Sequence, residues 1–318
     1  MSPQLKRDRP LVAYSEIPPV RYYEHVATYM MKVLEERSIA VIVQRDTEVK
    51  LVKTLRHKSG LRRPIMVNRP SQIVQLARKG AVDIMFSVTK VREELPDVFV
   101  VDIKADKNVW IHQYNWYIFD IVVKIVKLSL EFAGINKMLV CFDGMNGYKI
   151  MTLFKVDELR SEVKERRDEL MRLYSTYIEF LRDLAVRVVK RFRHMLQGLD
   201  LFSHMLISGN TILKIGLCRA PLSLHWSTKL VSLPVAKPVR DFAVTESLPS
   251  RVIECVHVYG DVIESAWVEN SPRKFIDIAK RYSEGDFEIL YRAKAQILSQ
   301  VSREYTAPQA ETHTRRVP

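Results

Sequence analysis

Hydrophobic and polar positions follow two different periods along this chain, and each period predicts one type of element. Apolar residues spaced three and four apart predict helices, whereas alternation or short continuous apolar runs predict strands. Helical spacing covers residues 21–38, 71–80, 110–135, 156–199, 271–283 and 284–304. Strand patterns cover residues 39–55 as a hairpin, 82–91, 97–105, 138–151 around a glycine turn, 210–235 around a loop, and 251–260.

The order of these elements predicts the fold class. Strands and helices are intermixed, which is typical of an α/β (α+β) domain. We expect strand 82–91 to pair with strand 97–105 across the turn between them, and residues 59–64 to form a basic loop.

The strongly charged amphipathic stretch after residue 155 predicts a division of the chain. Its charges are typical of the solvated face of one or two helices. We therefore expect a helical insertion that interrupts a single core, with a flexible C-terminal tail after the core. The predicted ranges are a core of 1–155 and 206–305, a helical insertion of 156–205, and a flexible tail of 306–318.

The charge balance adds a preference for anionic partners. The 318 residues include 50 Lys and Arg against 37 Asp and Glu, a formal net charge of +13. A surplus of this size favours polyanions, nucleic acid first, although solubility or the basic bias of a proteome gives the same balance. No apolar run reaches the roughly 18 residues of a membrane span, and the first residues lack a signal-peptide core. We expect a cytoplasmic protein with no membrane partner.

The cysteines argue against a zinc site. Cys141, Cys218 and Cys255 are isolated from one another, and the sequence has no CxxC pair or Cys/His cluster. Each lies in an apolar, strand-like context, so we expect all three to be buried.

Two short stretches contain candidate chemistry. Residues 138–151 place Gly144 and Gly147 in a turn between apolar strands, a spacing typical of a backbone loop that approaches a ligand, often a phosphate. Asp102 lies inside the apolar strand VFVVDIKAD, where a carboxylate is either a metal or substrate ligand at the strand end or a cap of the next loop.

Three stretches in order resemble the archaeo-eukaryotic primase superfamily. They are PDVFVVDIKAD (96–106), LVCFDGMNGYKIM (139–151) and RAPLSLHWSTKLVSLPV (219–235). That superfamily includes archaeal primase small subunits and the polymerase domains of bacterial end-joining ligases. The resemblance implies a primase-polymerase (RRM-like) catalytic fold that transfers nucleotides with two divalent metals, Mg or Mn, held by clustered carboxylates. Primase small subunits often carry a zinc-binding insertion where this chain has 156–205, but that stretch has no cysteine and zinc is not expected.

The chain departs from the family pattern at most reactive positions. Asp102 matches the first metal-binding acid, but Lys104 takes the place of the second, and residues 206–214 contain no third acid. In the second motif, Asp143 replaces a serine and Lys149 replaces a histidine. The third motif keeps Arg219, Pro221, Ser223, Leu224 and His225.

A rebuilt metal site and a metal-free site remain as alternatives. If the metal site is rebuilt, its ligands are Asp102, Asp106 and Asp143, but strand residues four apart lie about 13 Å apart unless the chain bends. In a metal-free site, ammonium groups bind phosphate oxygens directly. The residues expected there are Lys104, Gly144, Gly147, Lys149, Arg219, Ser223 and His225.

These observations predict a DNA primase/polymerase-like protein of replication or repair. We expect it to be catalytically inactive, binding nucleotides, DNA or RNA without a cofactor, or serving as a non-catalytic subunit beside a primase large or catalytic subunit. The first alternative is an active metal-dependent DNA primase or nucleotidyltransferase in which Asp102 is catalytic. The second is a purely structural subunit whose site has drifted.

Overall fold

The structure is a computed structural model that describes residues 17–45, 48–56, 61–105, 115–192 and 205–305. Asp106 and the predicted tail 306–318 lie outside the described residues. The helices are α1 (Pro19–Leu34), α2 (Pro70–Arg78), α3 (Asn115–Phe132), α4 (Val156–Val163), α5 (Arg167–Val189), α6 (Pro249–Glu254), α7 (Val256–Ala266), α8 (Arg273–Ser283) and α9 (Glu288–Tyr305). The strands are β1 (Arg37–Arg45), β2 (Glu48–Val52), β3 (Thr54–Arg56), β4 (Arg62–Met66), β5 (Ala81–Lys90), β6 (Val98–Ala105), β7 (Leu139–Phe142), β8 (Gly147–Phe154), β9 (Met205–Ser208), β10 (Leu217–Arg219) and β11 (Glu269–Asn270).

The first sheet is antiparallel and is organised around β1. One edge of β1 pairs with β5, and the other pairs with β2 and, nearer its start, with β4. Residues 62–66 are therefore a strand, not the basic loop that the sequence predicted. The predicted pairing of 82–91 with 97–105 is also wrong, because β1 and β10 occupy the two edges of β5.

The second sheet is organised around β8, which is buried along its whole length. Antiparallel β6 occupies one edge of β8, and β7 and the short parallel β11 share the other. Strand β9 pairs with the free edge of β6. All three stretches that carry the family resemblance meet here, because β6 comes from the first, β7 and β8 from the second, and β7 bonds to Leu233 of the third.

Helices α3, α5, α8 and α9 pack together beside the second sheet. Their centre is an aromatic cluster in which the Phe99 ring of β6 contacts Tyr174 and Tyr177 of α5 and Phe275 of α8. The apolar face of α5, which lies in the predicted insertion, thus packs on the same core as the sheets. No described helix is long and apolar enough to cross a membrane.

Two sequence expectations near the second half of the chain are wrong. Residues 251–260 form α6 and α7, not a strand, because Pro249 begins a helix and Gly260 packs directly against the Tyr29 ring of α1. Residues 210–235 contain a π-helix, Thr211–Ile215, then β10 and a looped segment in place of two strands. Cys255 lies at the α6–α7 junction and is exposed, whereas Cys141 and Cys218 are buried as predicted.

Candidate functional site

A buried ion pair includes Asp102, the residue that the sequence resemblance matches to a metal ligand. Asp102 of β6 and Lys149 of β8 are direct partners across the antiparallel pair. The Lys149 ammonium donates to Asp102 Oδ1 and, at 2.9 Å, to Thr211 Oγ1. The Lys149 and Asp102 side chains are only 9% and 1% exposed. The ammonium therefore supplies a buried positive charge directly beside the Asp102 carboxylate.

Thr211 completes this arrangement and was missed by the sequence argument. Its backbone N–H donates to Asp102 Oδ2 at 3.0 Å, and its hydroxyl donates to Oδ1 at 2.8 Å. Both carboxylate oxygens are thus bonded within the protein. Burial lowers the pKa of Lys149, but the charge of Asp102 outweighs this and raises the pKa above its usual value. The lysine is consequently charged at neutral pH.

The glycine turn is shaped by its own side chains and by β6. Asp143 Oδ1 accepts hydrogen bonds from the backbone N–H groups of Met145, Asn146 and Gly147 at 2.8, 2.9 and 3.1 Å. A Cβ on Gly147 would lie 2.3 Å from the carbonyl oxygen of Ile103. Gly144 has a φ of +80° and packs against His225. Both glycines thus permit close packing within the protein.

The arginine of the third motif is bound to an acid that the sequence argument did not single out. The Arg219 guanidinium donates to both carboxylate oxygens of Asp83 on β5, at 2.8–3.0 Å, and to the Asp143 carbonyl at 2.8 Å. Asp83 is completely buried. A carboxylate inside the apolar strand AVDIMFSV was the available signal, the same signal that identified Asp102.

Ser223 has a structural position beside the same acid. Its hydroxyl oxygen accepts the backbone N–H of Ile84 at 2.7 Å and lies 3.3 Å from the Tyr23 hydroxyl. The side chain is fully buried. Ser223 therefore joins the third motif to β5 and α1 within the core.

His225 is held as a neutral ring. Its Nδ1 accepts the backbone N–H of Ser227 at 3.2 Å and lies 3.0 Å from the Ser227 hydroxyl, so the neutral ring carries its proton on Nε2. Burial, with the nearby charge of Arg219, lowers the pKa of His225 to about 4. Nε2 has no hydrogen-bond partner among the described residues, and the residue is 5% exposed.

Lys104 differs from Lys149 in its surroundings. It is the exposed residue of β6, and its positive charge contributes to the lowered pKa of His225. The half-buried Trp226 stacks beside His225, with ring centroids 6.2 Å apart. We refer to Lys104, His225 and Trp226 as the His225 cluster.

The described residues do not fit a two-metal centre. Such a centre needs several carboxylates directed at one point. Asp102 is bonded to Lys149 and Thr211, and Asp143 to the amides of its own turn. No group of three His, Cys, Asp or Glu side chains that could hold a metal ion occurs in the described parts of the chain.

A basic cleft lies on the first sheet. The hairpin cleft, of about 550 Å³, lies between β1–β4 and α2, and its cations are Arg45, Lys50, Lys53, Arg62 and Lys79. Glu48 is the acid in its lining, and Leu51 and Leu55 stay 47% and 46% exposed. Lys229 of the third motif donates to Gln44 Oε1, and the Gln44 side chain lies on the face of β1 opposite the cleft residues Val43 and Arg45.

Comparison with solved structures identifies the architecture. The chain is similar to the polymerase domain from Mycobacterium tuberculosis Ligase D in complex with DNA, with a TM-score of 0.52 and 15% sequence identity over 78% of this chain and 90% of that one. The fold is that of a primase-polymerase domain. This confirms the fold that the three motifs implied. No family model matches the sequence, and no curated protein matches it.

Proposed function

We propose that this chain is a non-catalytic nucleic-acid-binding protein built on a primase-polymerase fold. The observation that carries the proposal is the Lys149 ammonium, which is bonded to the acid that matches the first metal ligand of the family. A buried charge pair with its hydrogen bonds satisfied is costly to separate. A metal ion entering this place would have to displace the ammonium from a buried position.

Several features support nucleic acid as the ligand. The net charge of +13 attracts polyanions over a long range. The hairpin cleft places five cations along one groove, which suits the backbone phosphates of a single strand. The polymerase domain of similar fold is described in complex with DNA.

In this proposal the motif residues divide into two groups. Lys149, Arg219, Ser223, Gly144 and Gly147 maintain the geometry, because their polar groups or their Cα atoms are already engaged within the protein. Lys104 and the Nε2–H of His225 contact phosphate, and Trp226 offers a ring for stacking. A role in replication or repair, and a partnership with a primase large or catalytic subunit, belong to the same proposal.

Binding can be tested by fluorescence anisotropy with labelled single-stranded DNA and with RNA of the same sequence, over a range of salt concentrations. We expect the variant Lys50→Glu/Lys53→Glu/Arg62→Glu to bind about tenfold or more weakly, with a salt slope lower by roughly 2, because each lost phosphate contact on a single strand contributes about 0.7.

The matched control is Arg172→Glu/Arg292→Glu/Arg303→Glu, which makes the same charge change at exposed positions of α5 and α9. It should bind nearly as well as the wild type. If the control loses as much affinity as the hairpin variant, the attraction is general and the hairpin cleft is not a site.

The absence of catalysis has its own test. The wild-type chain should add no nucleotide to a primer in the presence of Mn²⁺. Incorporation by the wild type that disappears in Asp102→Ala would contradict the non-catalytic proposal and favour the active nucleotidyltransferase.

A further inference from the structure

A second basic cleft contains no residue of the three motifs. The helix cleft, of about 540 Å³, is lined by Arg187, Lys190, Arg191, Lys294 and Leu298. It lies between the end of α5 and the middle of α9. Small-molecule pockets are lined mainly by apolar and aromatic side chains, so this lining is not that of an ordinary small-molecule pocket.

The sheet separates this cleft from the candidate site. Phe99 and Asp102 are three residues apart on β6, so their side chains point to opposite faces of the sheet. The Phe99 ring contacts Tyr174 and Tyr177 of α5, with centroids 5.1 and 5.9 Å away. Helix α5 therefore covers the face opposite Asp102, and a ligand in the helix cleft does not share the Asp102 site.

The cleft has four cations and no acid in its lining. Arg187 lies in the last turn of α5, Lys190 and Arg191 lie in the 3-10 turn that follows this helix, and Lys294 of α9 lines the same cleft. Among the described residues, no Asp or Glu lines the cleft and none of these four side chains forms an ion pair. The negative end of the α5 dipole lies near these cations and partly offsets their mutual repulsion. Several bound phosphates would offset this repulsion more fully.

An aromatic ring beside the cations favours nucleic acid over an acidic protein. The Arg187 guanidinium lies 5.6 Å from the centroid of the Tyr291 ring, and Tyr291 is 56% exposed. Cations that contact phosphates next to a ring on which a base can stack are the usual means of holding a single strand. An acidic peptide would be bound by the cations alone and has no base to stack on the Tyr291 ring.

We propose that the helix cleft is a second contact for a single-stranded nucleic acid, binding backbone phosphates in addition to those that the hairpin cleft binds. The inference rests on the proposed nucleic-acid binding. It adds a separate surface, on the face of the second sheet opposite Asp102, where another part of the same strand is held.

The test compares two variants of the full chain with a labelled oligo(dT) by anisotropy at several salt concentrations. The first is Lys190→Glu/Arg191→Glu/Lys294→Glu, and the second carries Gln at the same positions in case acids at the end of α5 disturb folding. Arg187 is kept because it packs on Tyr291. We expect about tenfold weaker binding for the Glu variant, a smaller loss for the Gln variant, and salt slopes lower by roughly 1.4 to 2.

The control Arg172→Glu/Arg292→Glu/Arg303→Glu makes the same charge change on the same two helices and should bind like the wild type. If the helix-cleft variants also bind like the wild type while the hairpin variant is weakened, the helix cleft is not a site and the proposed function stands. If the wild type does not bind oligo(dT), the proposed function fails and this inference fails with it.

A competition arm separates nucleic acid from an acidic protein. Unlabelled oligo(dT) should displace the probe at a far lower charge concentration than poly-L-glutamate. The competition uses the hairpin variant, in which the helix cleft is the remaining site. Equal displacement by the two polymers would overturn the assignment of nucleic acid as the ligand of the helix cleft, in favour of a general acidic partner.

Discussion

The Lys149–Asp102 pair is costly to break because both side chains are almost completely buried. Replacing Lys149 by methionine keeps the approximate volume of the side chain but leaves the Asp102 carboxylate buried without its counter-charge. We expect Lys149→Met to lower the free energy of unfolding by about 3–5 kcal/mol. Urea denaturation at neutral pH, followed by circular dichroism, measures the loss.

A double variant separates the pair from its surroundings. Asp102→Asn/Lys149→Met leaves no buried charge, so it should be more stable than Lys149→Met alone. The exposed pair Arg251–Glu254, whose side chains are 67% and 61% exposed, is the control, and Arg251→Met should cost about 0–1 kcal/mol. If the loss of stability in the double variant equals the sum of the losses in Asp102→Asn and Lys149→Met, the two groups do not depend on each other.

His225 predicts a pH dependence of stability. The folded pKa of about 4 lies below the ordinary value of 6.5, so between these pH values the unfolded chain binds more protons. The free energy of unfolding must therefore fall as the pH is lowered through this interval, and an interval of about 2.5 pH units corresponds to about 3 kcal/mol.

The measurement is the difference in unfolding free energy between about pH 7 and about pH 4 for the wild type and for His225→Gln. The variant should lose less stability on acidification, because its glutamine takes up no proton. The exposed His257→Gln in α7 is the control and should follow the wild type. The same acid loss in all three proteins would refute a buried neutral His225.

At the scale of elements, the β6–β8 pair determines where the motif side chains lie. Its register places Asp102 opposite Lys149 and Lys104 opposite Gly147. The absence of a side chain at residue 147 lets the two strands approach. A one-residue shift of this register would move Lys149 to the other face of the sheet, so the ion pair depends on the whole pair of strands.

Gly147→Ala tests this dependence. The new Cβ would lie 2.3 Å from the Ile103 carbonyl oxygen, so the strands must separate, and we expect a cost of about 3 kcal/mol or more. Gly285→Ala is the control. Gly285 has a φ of +83°, and no atom lies within 4 Å of the place that a Cβ would take, so its cost should stay at about 1–2 kcal/mol. Equal costs would mean that β6 and β8 adapt easily.

At the scale of the whole molecule, one buried ion pair joins the two sheets. Arg37 begins β1 of the first sheet, and its guanidinium donates to both carboxylate oxygens of Asp97, just before β6 of the second, at 2.8 and 2.6 Å. The Arg37 and Asp97 side chains are 2% and 0% exposed. Asp97 belongs to the first motif, so this part of the resemblance has a structural role here.

Arg37→Met should therefore destabilise both sheets together. It leaves Asp97 buried and unpaired, and we expect a loss of about 3–5 kcal/mol in a single cooperative transition. Hydrogen exchange should become faster in β1 and β6 by similar factors. Faster exchange in β1 with β6 unchanged would show that the sheets unfold independently.

Much of the fold followed from local patterns, and the failures have physical causes. Helices α1, α2, α5 and α8 were predicted because each keeps one apolar side over several turns. Residues 251–260 were misassigned because their short run of valine and isoleucine suits a strand locally, whereas packing of Gly260 on Tyr29 makes it helical. The wrong prediction that Cys255 is buried followed from the same error, because the strand in which it was placed does not exist.

The sequence by itself determined the order of motifs, the excess of positive charge and the replacement of expected ligands by Lys104 and Lys149. Only the tertiary structure decided which groups these residues contact, because their partners Thr211 and Asp83 are distant along the chain. Folding buries Lys149 against Asp102 and binds Arg219 to Asp83, while Lys104 stays exposed. The roles of similar residues thus differ because burial and the nearest opposite charge depend on the packing of strands from separate parts of the chain.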